Sequence, residues 1–178
     1  MKDRHLLFKY LFGLTVCILF FPLAVSAADS FIHFKRLSVD DGLSQNTVLA
    51  LTQDHNNKLW VGTIDGLNWY EGSRFVSYYK APDDTTSLAN NHVYSLHTDS
   101  KGTVWVGTQV GLSRYNIAGN NFTNYSSPDN QPMQVLAIGE PEEGDRLLLA
   151  TNIGLGVFDK KTGRMKVLPE LAGKTIYS

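Results

Sequence analysis

Cysteine is nearly absent: Cys17 is the only one among 178 residues, and it sits in an apolar leader. A disulfide scaffold, a zinc-thiolate site and a cysteine nucleophile are therefore excluded from the body of the chain. An excess of either charge is missing too, with sixteen basic residues against seventeen acidic ones and no cluster of one sign in the body. That balance removes the electrostatic case for nucleic acid as a partner. Helical periodicity is not found in any run of the body. The histidines at 33, 55, 92 and 97 never fall into a zinc pair such as HxH or HExxH, so neither metal nor cofactor is expected. Asp40-Asp41 and Asp83-Asp84 are adjacent in sequence rather than opposed, which suits turn caps better than paired acid and base. Asp54 and Asp99, which stand alike before a tryptophan, lack the full oxygen set of a calcium loop and are also read as turn caps. No catalytic residue is predicted.

What is present begins with a leader. Lys2, Arg4 and Lys9 precede the apolar run "YLFGLTVCILFFPLAV", which closes on the small residues Ser26, Ala27 and Ala28. This is the pattern of a secretory signal over 1–28, and residues 29–178 are expected outside the cytoplasm. An uncleaved anchor is the alternative, though the run is short for a span and Pro22 breaks it.

The body repeats. Trp60-Val61-Gly62-Thr63, with Gly66, Leu67 and Tyr70, returns as Trp105-Val106-Gly107-Thr108, with Gly111, Leu112 and Tyr115. A weaker copy runs Leu148-Leu149-Ala150-Thr151 with Gly154, Leu155 and Phe158. The spacing is about 44 residues, and each unit divides into four short strand-like runs separated by turn residues, the sign of a β-propeller blade. The fold class predicted is all-β, with blades of four antiparallel strands at about 46–80, 91–126 and 132–168. In a strand Trp60 and Gly62 share one face, so the indole is expected to lie over the space the glycine leaves empty, with Trp105 and Gly107 doing the same. Gly66 and Gly111 are expected where positive φ or close backbone approach is needed.

The segments entering the innermost strands read "LSQNTVLA" from Leu43, "LANNHVYS" from Leu88 and "LAGKTIYS" from Leu171. The last is expected to begin a fourth blade over 171–178. "FIHFKRLSVDDG" aligns with an outer strand and its exit, an orphan with no blade of its own. Three blades fall short of the four to eight of closed propellers, and the chain is expected to be the N-terminal part of a longer protein.

The stretch "FKRLSVDDGLSQNTVLALTQDHNNKLWVGTIDGLNWYEG" resembles the two-component regulator propeller family. The resemblance implies an extracytoplasmic, periplasmic sensor region of a bacterial signalling receptor. It also implies a downstream membrane span and a histidine kinase or diguanylate cyclase output that this chain does not carry, so the chain itself is expected not to be an enzyme. The full-length protein could form a homodimer.

Turns after the tryptophan strands and connections entering the inner strands should share one face of the disc. That choice makes Asn46, Asp65, Asn91, Gln109 and Asn152 the candidate binding residues for a small molecule or oligosaccharide, with bonding inside the blade as the alternative for Asn46 and Asn91. Trp69 and Tyr79 could stack on a sugar ring or pack as outer-strand residues. Three functions stay open at this point: a ligand sensor, a propeller enzyme of lyase or glycosidase type, and a scaffold without a small ligand.

Overall fold

The computed structural model describes residues 34–127, 129, 131–142 and 144–177. The signal segment expected over 1–28 lies outside these residues. The chain divides into two compact units, Met1–Lys35 and Arg36–Ser178, and the strands of the described residues belong to the second.

Among the described residues twelve strands form three sheets of four, each a meander in which neighbours in sequence are neighbours in space. Blade 1 holds β1 (Val48–Gln53), β2 (Leu59–Thr63), β3 (Gly66–Tyr70) and β4 (Phe75–Tyr78). Blade 2 holds β5 (Val93–Thr98), β6 (Val104–Thr108), β7 (Leu112–Asn116) and β8 (Asn121–Tyr125). Blade 3 holds β9 (Val135–Gly139), β10 (Arg146–Thr151), β11 (Gly154–Asp159) and β12 (Arg164–Val167). Every pairing is antiparallel. The all-β propeller reading of the sequence is thus the architecture observed. Residues 34–38, the described part of the orphan outer strand, and residues 172–177 join no ladder. A strand exists only with a partner to bond, and single bonds such as Ile176 N–H to the Thr151 carbonyl (2.9 Å) do not build one.

The hydrophobic core lies between blades rather than within them. One cluster joins blade 1 to blade 2 through Trp60, Leu67, Leu88, Val93, Val106 and Phe122. The other joins blade 2 to blade 3 through Trp105, Leu112, Met133, Val135, Leu149 and Phe158. Both indoles are 1% exposed. Trp60 stacks on Tyr78 of its own blade and meets Tyr115 of the next edge-on, with centroids 6.1 and 4.8 Å away. Trp105 lies tilted against Tyr125 of its own blade and meets Phe158 of the next edge-on, at 6.1 and 5.4 Å. Edge-to-face and stacked aromatic pairs add to the area buried.

The glycines of the motif work differently from the sequence expectation. The indole does not occupy the space over Gly62; the next blade does. A Cβ on Gly62 would stand 2.5 Å from Val93 Cγ1, and one on Gly107 would stand 2.5 Å from the Val135 carbonyl oxygen and closer still to the hydroxyl of Ser95, which bonds to that carbonyl. Each missing side chain therefore admits the first residue of the neighbouring inner strand. An irregularity in that strand makes this possible, because register slips at Leu49, Tyr94 and Leu136. The extra residue lets Val93 and Leu96 both face blade 1 while Ser95 faces blade 3, which strict alternation would forbid. Gly66, with φ of +119°, sits at the β2–β3 turn as expected, where a Cβ would also strike Tyr79.

Where no neighbouring blade covers a face, the same positions are open. Leu51, the counterpart of Leu96, is 61% exposed, and Leu148, which stands where the other blades have tryptophan, is 38% exposed.

Candidate functional site

The turn closing each second strand is built by its threonine. Thr63 Oγ1 donates to the Gly66 carbonyl and accepts from Asp65 N–H, at 3.0 and 3.1 Å. Thr108 does the same with Gly111 and Val110, and Thr151 with Gly154 and Ile153. All three threonines are fully buried, so their hydroxyls satisfy the tight turn from inside. These turns meet the entry segments of the inner strands through three equivalent backbone bonds. Ile64, Gln109 and Asn152 donate to the carbonyls of Thr47, His92 and Gln134. The rim expected from the sequence therefore exists as one repeated junction of turn and entry segment.

The candidate residues on that rim are partly occupied. Asn91 Nδ2 donates to Asp65 Oδ1 at 2.9 Å, its Oδ1 accepts from Lys80 N–H, and its carbonyl accepts from Gly66 N–H. Asn91 and Asp65 are thus brought together across blades 1 and 2. Asn46 repeats one of these roles, accepting from Val39 N–H at 3.1 Å. Asn152 Oδ1 accepts from Gln134 N–H at 2.8 Å. The Gln109 side chain is exposed at the same turn. A shallow groove of about 270 Å³ lies beside it, lined by Lys80, Ala89, Val110, Asn124 and Tyr125.

The structure separates Trp69 from the rim but not Tyr79. Trp69 pairs across from Trp60, at the opposite end of β3 from Gly66. Lys58 Nζ lies 3.8 Å over its ring, and a groove of about 610 Å³ runs past it between Asn57 and Gly72. Tyr79 flanks Gly66 at the rim end and is 46% exposed.

The acidic residues act mainly on their own backbones. Asp41 accepts from Ser38 N–H within a capping box, and Asp84 accepts from Thr86 N–H and its hydroxyl. Asp54 and Asp99 cap their hairpins with one oxygen and accept the indole N–H of Trp60 and Trp105 with the other, at 3.0 and 2.9 Å. That indole bond was not anticipated; the shared spacing of aspartate and tryptophan in both repeats was the signal for it. Among the described residues no group of three or more His, Cys, Asp or Glu side chains could hold a metal ion.

One charged cluster has no sequence signal at all. Lys160, in the β11–β12 turn, donates to Asp99 Oδ2 at 2.8 Å and to Glu140. The three side chains are 8%, 1% and 11% exposed. Burial opposes the charge on both carboxylates, but bonds from Lys160, with Trp105 and Thr103 on Asp99 and Ser100 on Glu140, hold each below the ordinary carboxylate range. Burial likewise works against the Lys160 ammonium, and the two carboxylates outweigh it and raise its proton affinity.

Fold and rim together define a run of propeller blades with a repeated turn face. Two stretches of the chain, residues 42–65 and 87–109, match the family described as Two component regulator propeller, and these two stretches carry its repeat. Over 79 residues it is 44% identical to Histidine kinase P4 of Formosa agariphila, covering 43% of this chain and 6% of that protein. The extracellular domain of one hybrid two component system of B. thetaiotaomicron superposes with a TM-score of 0.66 at 30% identity, over 75% of this chain and 20% of that one. A second such domain from B. thetaiotaomicron superposes with a TM-score of 0.63 at 22% identity, over 72% and 17%, and shows the fold alone. The chain spans a small part of each of these relatives.

Proposed function

We propose that this chain is a ligand-sensing propeller region of an extracytoplasmic bacterial signalling receptor, whose kinase or cyclase output lies on a part of the protein outside these residues. The observation that carries the reading is the likeness at 30% identity to an extracellular domain of a hybrid two component system. The leader over 1–28 supports export. The rim where turns meet entry segments is the surface for a small solute or oligosaccharide. Asp65, Gln109 and Asn152 offer it polar groups from three successive blades, and Asn91 holds Asp65 in place. Preformed polar groups are what fix a ligand's orientation.

Calorimetric titration of the full chain with a panel of plant and algal oligosaccharides and small solutes tests this. Saturable binding to one of them, weakened about tenfold or more by Asp65→Ala or Asn152→Ala, is the expected result. No binding at millimolar concentration, or binding indifferent to both substitutions, contradicts it.

A further inference from the structure

The two junctions hold corresponding residues at the level of the tryptophans. Thr52 lies across from Trp60 in blade 1, and its hydroxyl meets that of Thr98 in blade 2 at 3.1 Å. One blade on, His97 lies across from Trp105 in the place of Thr52, and Glu140 follows β9 in the place of Thr98. A neutral hydroxyl pair at the first junction is replaced by two titratable groups at the second.

His97 is poorly provided for as a cation. Its Nε2 is enclosed and has no hydrogen-bond partner. The charged groups around it are Asp99 from the β5–β6 turn, Glu140 from the end of β9 and Lys160 from the β11–β12 turn. The carboxylates are already engaged. Asp99 accepts from Trp105, Lys160, Lys101 N–H and Thr103 N–H, and Glu140 accepts from Lys160, Ser100 N–H and the Ser100 hydroxyl. A proton on His97 would therefore place a second positive charge beside Lys160, on an enclosed nitrogen that bonds to neither carboxylate.

We propose that His97, set against the Lys160–Asp99–Glu140 cluster, makes the junction of blades 2 and 3 loosen as the medium falls below about pH 6.5, the ordinary range of imidazole, while the junction of blades 1 and 2 stays unchanged. Burial lowers the proton affinity of His97 most, with Lys160 acting in the same direction and Glu140 and Asp99 against it. A histidine with depressed affinity in the folded state leaves stability intact above its unfolded value and removes it as pH falls through the window below. This device is independent of what binds the rim. It would let a blade junction report acidity by itself.

Hydrogen exchange on the full chain at pH 7.5 and 5.5, corrected for intrinsic exchange rates, tests it. The expected result is that opening of β9 amides rises up to about tenfold at the lower pH, one pH unit below the imidazole range. Amides of β1 and β2 should keep their protection, and His97→Gln should abolish the response. Equal protection of β9 at both pH values, or a response that survives in His97→Gln, overturns the proposal. Should His97→Gln fail to fold, the imidazole titration of the wild-type chain decides by NMR: a midpoint below about 6.5 supports the proposal and one at or above it overturns it.

Discussion

The two blade junctions use the same apolar device and opposite polar ones. Each seats an indole against an aromatic of its own blade and one of the next, and each threads a valine over a glycine. Around that common centre the first junction is sealed by hydroxyl and amide groups, with the Asp65 carboxylate bonded to Asn91 at its rim. Tyr78 and Tyr115 both donate to Asn120 Oδ1 at 2.6 and 2.8 Å, Thr52 meets Thr98, and Asn124 Nδ2 donates to the Ser87 carbonyl. At the second, Ile117 of blade 2 is replaced in register by Lys160 of blade 3, and the buried ammonium reaches two carboxylates. Repetition therefore fixes the stacking, and departures from repetition give each junction its own response to solvent.

The largest effect should come from the shared centre. Trp60→Ala removes a side chain that is 1% exposed and leaves the second oxygen of Asp54 without its indole donor. A loss of about 3–5 kcal/mol is expected in urea unfolding. Leu148→Ala, at the equivalent but open position, should cost well under half as much. Equal costs would deny that the indole is held by the neighbouring blade.

Next comes the charged junction. Lys160→Met keeps the aliphatic stem and strands Asp99 and Glu140 as buried carboxylates, and breaking a buried pair on one side costs roughly 3 kcal/mol. The same substitution should change the pH profile. Depressed carboxyl affinities contribute stability that is present above the ordinary carboxylate range and is lost as pH falls through their folded values. With Lys160 gone, that acid-side loss should shrink or reverse in equilibrium unfolding below about pH 5. An unchanged profile would mean the cluster does not couple the blades.

The sequence made the blades legible because a repeat displays its own boundaries. Turn residues recur, the Trp-Val-Gly-Thr string recurs, and Asp54 and Asp99 recur six residues before the tryptophan each one holds. The rim was legible for the same reason, since topology alone puts turn and entry segment on one side. The position of Asn91 as the bond between blade 1 and blade 2 was not, because its partners Lys80 and Asp65 belong to the preceding unit. Lys160, Asp99, Glu140 and His97 were invisible as a group. They come from four places in two blades, and nothing repeats in their spacing. The role of the glycines was misread for a related reason. Alternation alone puts Trp60 beside Gly62, but the irregularity at Tyr94 delivers Val93 to that space, and a bulge of one residue leaves no composition signal.

The account rests on blades that interlock through the hydrogen at Gly62, and a pair of single-methyl additions measures this most directly. Gly62→Ala must push against Val93, whereas Gly139→Ala meets nothing within 4 Å. Urea unfolding of the two variants of the full chain should show Gly62→Ala destabilised by about 1–3 kcal/mol, the usual cost of overfilling a packed interface, and Gly139→Ala within roughly 0.5 kcal/mol of wild type. Matching stabilities for the two variants would contradict the interlocked stack.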